Sequence, residues 1–203
     1  MRILQIKSSV FNGAGQSSRL ADQFAELLRA QNPGAEVTQR DVVADPVPHL
    51  DGARAGAFLA RPDQRTAAQQ AVIDYSDALI AELRRADTLV LGLPMYNFGV
   101  PSQLKAWFDH IARAGETFKY TAKGSVGLLT GKKAYVFGAR GGIYGSEHSQ
   151  EQFVREFLAF IGIADVEFVN AEGLAMGDES RNNSIATAQA AVRRHALQTR
   201  LAA

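Results

Sequence analysis

Apolar positions along this chain of 203 residues follow two different patterns in turn. Residues 1–6, 88–93 and 134–139 form short, mostly apolar runs, which are typical of buried strands. After the first run, apolar residues recur every three or four positions from Leu20 to Leu28, which is the spacing of one helix face. The pattern therefore predicts strands that alternate with helices.

Two weaker runs complete the predicted sheet. Residues 36–40 predict a short polar strand at a sheet edge, and residues 166–170 predict a last strand before a closing helix. Residues 45–62 hold three prolines and are predicted to form a long excursion, a kind of segment that is often functional. Five strands alternating with five helices predict an α/β fold, namely a doubly wound five-stranded parallel sheet with strand order 2-1-3-4-5.

The length fits one large domain or two small ones, and the composition is that of an ordinary globular protein. Apolar residues make up 46% of the chain and charged residues 21%, and the absence of cysteine excludes disulfides, thiolate metal sites and cysteine nucleophiles. The 22 basic and 21 acidic side chains leave a formal net charge of +1, which gives no bulk attraction to nucleic acid or anionic membranes. With no membrane-length apolar run and no secretory signal pattern, we expect a cytoplasmic protein with neither kind of partner.

Ligands of such sheets bind beyond the carboxyl ends of the strands, which points to the loops after strands 1, 3 and 4. The first loop carries Ser9, Gly15, Gln16 and Ser17 just before a helix. Free backbone N–H groups and the positive end of the helix dipole favour a phosphate there, and serine hydroxyls add donors. Simple capping of the helix by Ser17 or Ser18 is the alternative interpretation. The dinucleotide fingerprint is not met, because Ser18 stands at its third glycine.

The other two loops suit a flat ring. Residues 94–99 follow the most apolar strand and place Tyr96 and Phe98 around an amide, an arrangement that can wall a heteroaromatic ligand and hydrogen-bond to it. Rings that merely cover the core are the alternative. Residues 139–145 contain three glycines, which let the backbone approach a ligand edge and donate N–H groups to it. A flexible turn is the alternative there.

Side chains suited to acid–base, nucleophilic or metal chemistry are not grouped in the sequence, so no catalytic side chain and no metal are predicted. The four histidines lack ligand spacing and are expected at the surface or at helix caps: His49, His110, His148 and His195. Residues 113–140 are locally basic, which suits the phosphates of an incoming nucleotide or, alternatively, a solvated surface.

The three loops, together with residues 112–120, resemble the FMN-dependent NADH-azoreductases of bacteria. The resemblance rests above all on the Met-Tyr-Asn-Phe run at 95–98 and the Ala-Arg-Ala-Gly-Glu-Thr-Phe run at 112–118, and it extends over nearly the whole chain. It implies a flavodoxin-like fold, a homodimer and one FMN held by each subunit. The whole chain, 1–203, would then be a single FMN-binding domain.

The resemblance also implies roles for particular residues. The FMN phosphate would be held by Ser9, Gly15, Gln16 and Ser17. The isoalloxazine ring would be supported by Met95, Tyr96, Asn97 and Phe98, and its polar edge would be lined by Ala139, Arg140, Gly141 and Gly142. Substrate would stack on Tyr120 and Phe160 at the dimer interface. Family members often carry serine where this chain has Gly15 and Ala139. Gly15 still offers its N–H to the phosphate, whereas Ala139 lacks a hydroxyl near the flavin edge, which puts cofactor affinity and redox tuning in doubt.

The activity implied by the resemblance is two-electron reduction of quinones and aromatic azo compounds. NADH or NADPH would give a hydride to the bound FMN and leave, and the acceptor would then take the electrons in the same place, a ping-pong mechanism in which the cofactor carries the chemistry. A flavodoxin-type electron carrier without turnover of its own is the alternative, and its partner docking favours a strongly charged face that the near-zero net charge does not supply. A regulatory module that binds a nucleotide is a third hypothesis.

Overall fold

The computed structural model describes residues 1–201. Its seven strands are β1 (Arg2–Lys7), β2 (Glu36–Asp41), β3 (Thr88–Pro94), β4 (Phe118–Thr121), β5 (Gly124–Gly127), β6 (Lys133–Ala139) and β7 (Asp165–Ala171). Its six α-helices are α1 (Gln16–Gln31), α2 (Gly52–Leu59), α3 (Ala67–Arg85), α4 (Ser102–Ile111), α5 (Ser149–Phe160) and α6 (Asp178–Leu201). Within the described residues, no helix combines the length and the apolar character needed to cross a membrane.

The main sheet has the order β2-β1-β3-β6-β7, and all its neighbouring strands are parallel. Counting only these five strands, this is the predicted order 2-1-3-4-5, so the five-stranded parallel sheet is confirmed. Pro94 pairs with Ala139, and Ala139 with Ala171, at the carboxyl ends of three neighbouring strands. The loops that follow these strands therefore leave the sheet side by side.

Buried side chains of the sheet divide between two hydrophobic clusters. In β3, Leu89, Leu91 and Leu93 belong to one cluster, whereas Val90 belongs to the other. The alternation follows the two-residue period of a strand, whose successive side chains point to opposite faces. The first cluster includes side chains of α3, α4 and α5, and the second includes side chains of α1 and α6.

Two parts of the chain differ from the sequence-based expectation. The predicted excursion 45–62 contains α2, whose first turn is capped by the Asp51 carboxylate accepting from Arg54 N at 2.8 Å, so six α-helices are present where five were expected. The antiparallel hairpin β4–β5 was missed altogether. Its strands have four residues each and are mostly exposed, so they lack the apolar run or alternation by which a strand is recognised.

Candidate active site

The loops after β1, β3, β6 and β7 enclose a cleft of about 290 Å³ at the carboxyl edge of the sheet. It combines polar groups from the first loop with apolar and glycine positions from the others. The residues that line it are Ser9, Phe11, Ala14, Gly15, Gln16, Ser17, Pro94, Met95, Tyr96, Ala139, Arg140, Gly141, Leu174 and Arg181.

The N-terminus of α1 faces this cleft with its hydrogen-bond donors unused. Its N-cap is Gly15, which has no side chain to accept from the first turn. The hydroxyl oxygens of Ser17 and Ser18 are buried and meet no hydrogen-bond partner among the residues that the structure describes. The interpretation of these serines as capping residues is therefore wrong, because neither hydroxyl caps the helix. Unused N–H groups and hydroxyls at a helix N-terminus form a site for an anion.

The Ser9 hydroxyl ties the first loop to the second. It accepts from Phe11 N at 3.2 Å and lies 3.3 Å from the Tyr96 hydroxyl, which itself accepts from Val10 N at 3.1 Å. A Cβ added at Gly15 would overlap the Ser9 hydroxyl. A side chain at position 15 would therefore displace Ser9, and glycine leaves the backbone at this point accessible from the cleft.

The second loop is a tight turn in a strained conformation. Tyr96 and Gly99 exchange two backbone hydrogen bonds of 3.3 and 3.1 Å, and the two residues between them, Asn97 and Phe98, have φ angles of 49° and 68°. Asparagine tolerates this left-handed region, but an aromatic residue seldom occupies it. The turn leaves Phe98 63% exposed, and its side chain lines a separate pocket that includes Val100 and Phe153. Strain held at an exposed aromatic residue is characteristic of functional loops.

Gln150, at the start of α5, stabilises this turn through side-chain hydrogen bonds. Its side-chain amide is 2% exposed and donates to the carbonyl oxygens of Pro94 and Gly99, each at 2.9 Å. One amide therefore holds both ends of the loop that lines the cleft. Met95 N also donates to Ala139 O at 2.9 Å, which joins this loop to the end of β6.

The Arg140 side chain lies beneath the third loop and does not point to a ligand edge. It is fully buried, donating to Glu172 at 2.9 Å and to Gly145 O at 2.9 Å, with Glu151 at 3.4 Å. Glu172 also accepts from the N–H groups of Tyr144 and Gly145, each at 3.2 Å. The guanidinium and the two carboxylates thus hold the loop in shape, and the contribution of Arg140 to the cleft is mainly that of its backbone.

The glycine loop is paired with the loop after β7. Gly173 N donates to Gly142 O at 2.8 Å, Leu174 N to Arg140 O at 3.2 Å and Ala175 N to Gly141 O at 3.0 Å. These bonds occupy the carbonyl oxygens of the loop. The N–H groups of Gly141 and Gly142 have no acceptor in the described part of the chain, and Gly141 lines the cleft. The loop therefore presents donors to whatever lies in the cleft.

Two expected substrate residues lie elsewhere in the subunit. Tyr120, on β4, is 74% exposed, and Phe160 is half-buried at the last position of α5; both rings contact Phe118. Phe160 lies ten residues along the helix from Gln150, which is roughly 15 Å at 1.5 Å per residue. Neither side chain lines the cleft of its own subunit.

Several residues of the site were missed from the sequence. Glu172 and Gln150 act by holding loops, and Phe11, Leu174 and Arg181 line the cleft itself. Glu172 and Leu174 follow the carboxyl end of the last strand, so extending the strand-end rule to that loop would have included it. Gln150 and Arg181 lie in helices and carry no such signal.

A parallel sheet in this order, with a cleft at its carboxyl edge beside an uncapped helix N-terminus, defines the class of flavodoxin-like proteins. Residues 1–196 match a protein family that is described as having a flavodoxin-like fold. The chain belongs to this family.

Individual relatives are similar over almost the whole chain. The FMN-dependent NADH:quinone oxidoreductase of Cellvibrio japonicus (strain Ueda107) is 54% identical over 181 residues, 88% of this chain and 91% of that protein. The protein of the same name from Alcanivorax borkumensis is 53% identical over 191 residues, 93% of this chain and 96% of that protein. A solved FMN-dependent NADH-azoreductase from Bacillus anthracis, in complex with FMN, is 30% identical with a TM-score of 0.84 and covers 96% of this chain and 99% of its own.

Proposed function

We propose that this protein is an FMN-dependent oxidoreductase that passes two electrons from NADH to quinones and aromatic azo compounds. The observation that carries the proposal is the uncapped N-terminus of α1, with buried, unpartnered hydroxyls on Ser17 and Ser18, facing a glycine loop across one cleft. Relatives more than 50% identical are named as FMN-dependent NADH:quinone oxidoreductases.

The donor set of the cleft suits FMN at both ends. A phosphate needs several N–H and hydroxyl donors, which the first turn of α1 supplies through Gln16 and Ser17 next to Ser9 and Gly15. The ring would rest against the second loop, whose Met95 and Tyr96 line the cleft, and we propose that Asn97 and Phe98 of the same turn also contact it. Ala139, Arg140, Gly141 and Gly142 would lie along its polar edge.

The protein's part in the reaction is to bind and orient. Bound FMN accepts a hydride from a nicotinamide and gives two electrons to an acceptor. The N–H groups of Gly141 and Gly142 would donate to the carbonyl edge of the ring and favour negative charge there. Hydride transfer requires no side chain to remove a proton, and solvent supplies the proton that completes reduction of the quinone, so we assign no catalytic side chain.

The basic segment 113–140 is only partly engaged within the fold, because Lys119 and Lys123 on the hairpin are exposed. Arg113 is buried and paired with Asp77, and the Lys132 ammonium donates to the carbonyl oxygens of Arg84 and Ala86. These side chains are engaged within the fold. We propose NADH as the preferred nucleotide because it is the donor named for the relatives.

The finer expectations belong to the same proposal. The division of the core into two clusters supports a doubly wound sheet in one domain over 1–203, of which residues 202–203 lie outside the described part. The exposed ring of Tyr120, which does not line the cleft of its own chain, supports a homodimer in which Tyr120 and Phe160 reach substrate across the interface. Use of NADH supports a cytoplasmic location.

Steady-state kinetics test the proposed reaction and its order. We expect the purified protein to oxidise NADH continuously with a soluble benzoquinone as acceptor. A ping-pong mechanism gives parallel double-reciprocal lines when NADH is varied at several fixed quinone concentrations. Intersecting lines would refute a ping-pong mechanism in which NADH and quinone use the same site in turn. A flavodoxin-type carrier would bind FMN and give no sustained oxidation of NADH in the absence of a second protein, which would exclude the enzyme.

A further inference from the structure

The helix that closes the fold brings a positive charge to the cleft. Arg181 lies in the first turn of α6 and lines the same cleft as Gly15, Gln16 and Ser17. None of the loops expected to bind FMN contains it. A phosphate monoester carries up to two negative charges near neutral pH, so donors without a formal charge at the helix N-terminus leave part of that charge unmatched.

The other cation of the cleft is already neutralised. Among the described residues that line the cleft, Arg140 and Arg181 have permanently charged side chains. The Arg140 guanidinium is fully buried and ion-paired with Glu151 and Glu172. It has no accessible face to offer a phosphate.

The Arg181 guanidinium is anchored through Nε, and its two terminal nitrogens are free to bind a ligand. Its Nε donates to Leu174 O at 3.0 Å, which fixes the side chain against the loop after β7. Its two terminal nitrogens make no ion pair with any residue in the described part of the chain, although Asp178 and Glu179 lie in the same helical turn. A guanidinium anchored through Nε keeps both terminal N–H groups available for bidentate binding of a phosphate.

We propose that Arg181 binds the phosphate group of FMN and thereby selects the phosphorylated flavin over riboflavin. This inference rests on the proposed function, since it assumes that the cleft takes FMN. The phosphate would then be bound by a charged side chain from α6 as well as by the N-terminus of α1 and the hydroxyls of the first loop. The interaction lies at an exposed position, so it weakens as salt screens the charges.

Binding of two flavins by the full-length protein, freed of flavin, tests the inference. The readout is quenching of flavin fluorescence in titrations with FMN and with riboflavin, at low and at high salt. For Arg181→Gln we expect FMN to bind roughly 10- to 100-fold more weakly, the range of a lost charge-assisted hydrogen bond, and riboflavin to change less than about twofold. Arg181→Lys should recover part of the loss, and Arg193→Gln, an exposed arginine of the same helix, should change neither affinity.

Each other outcome has a distinct meaning. Equal weakening of FMN and riboflavin would overturn the inference in favour of a structural role, in which Arg181 only anchors the loop at Leu174. Unchanged FMN affinity in Arg181→Gln would also overturn it, and the proposed function would stand. Failure of the unsubstituted protein to bind FMN at all would refute the proposed function itself.

Discussion

At the scale of single residues, the site depends on groups held in conformations that cost free energy. Phe98 has a φ of 68°, a region that costs a side chain with a Cβ about 1–2 kcal/mol and costs glycine little. The two backbone hydrogen bonds between Tyr96 and Gly99 and the Gln150 amide on Gly99 O hold the turn in this conformation.

Two substitutions at this position separate the strain from the ring. Phe98→Ala and Phe98→Gly both remove the aromatic side chain, but only glycine relieves the left-handed backbone. We expect the glycine variant to be more stable than the alanine variant by about 1 kcal/mol, measured by urea unfolding. With no strain in the turn, the glycine variant would instead be less stable than the alanine variant by about 0.4–1 kcal/mol, because glycine loses more conformational entropy on folding.

Gln150 does not line the cleft, but its side chain should affect both the stability of the fold and the binding of FMN. Gln150→Met keeps the volume of the side chain but leaves the carbonyl oxygens of Pro94 and Gly99 without their donor. Buried groups that lose a partner cost about 1–3 kcal/mol, so the free energy of unfolding should fall by that amount and FMN should bind more weakly. The exposed neighbour Gln152 offers the matched control, because Gln152→Met should stay within about 0.5 kcal/mol. A Gln150→Met protein as stable as the control would contradict the role of the amide.

At the scale of elements, α2 and the segment around it cover a buried histidine. The His110 ring, on α4, is 1% exposed; its Nδ1 lies 2.9 Å from Ala106 O, and the rings of Phe58 and Tyr75 meet it edge-on at 5.8 Å. The expectation of a surface or capping role was wrong for His110, although His148 does cap α5. Neither the spacing nor the composition of the chain distinguishes the two.

Burial of His110 gives the fold a pH dependence. Burial lowers the pKa of the ring below its usual value of 6.5; the hydrogen bond to Ala106 O opposes this shift, the nearby Arg54 charge adds to it, and Asp109 and Asp51 oppose it. The unfolded chain therefore binds the proton more readily, so stability is complete above about pH 6.5 and falls as the pH drops below it. In urea unfolding at several pH values, His110→Gln should flatten this decline, with a residual slope from His195, whose pKa burial also lowers. The exposed His49 provides the control, and an unchanged slope in His110→Gln would refute the assignment.

The elements also show what a sequence can and cannot predict here. Buried strands such as β3, all seven residues of which are buried, can be recognised in the sequence as apolar runs. The parallel strand order can be predicted because these strands alternate with helices. The loops after β1, β3 and β6 could be chosen as candidates for the same reason. The roles of Gln150, Glu172 and Arg181 depend on which loop each side chain reaches in space, and Ser17 becomes informative only once its hydroxyl is known to lack a partner.

At the scale of the whole molecule, a single chain builds the cleft, but its Tyr120 and Phe160 do not line it. The proposed homodimer predicts a mass in solution of twice the 21.9 kDa chain, measured by sedimentation equilibrium. Tyr120→Ser should then raise the KM for quinone with FMN affinity unchanged, because the ring would contact substrate and not the cofactor. A monomer with full quinone reductase activity would contradict a substrate site that is built from two chains.

The central claim is that this cleft holds FMN and uses it to carry electrons from NADH to a quinone. Its most direct measurement is the visible spectrum of the purified protein under anaerobic conditions. We predict a yellow protein whose flavin absorbance bleaches with one equivalent of NADH and returns with one equivalent of benzoquinone. A colourless protein that takes up no FMN on reconstitution, or a bound flavin that NADH does not bleach, would contradict the account.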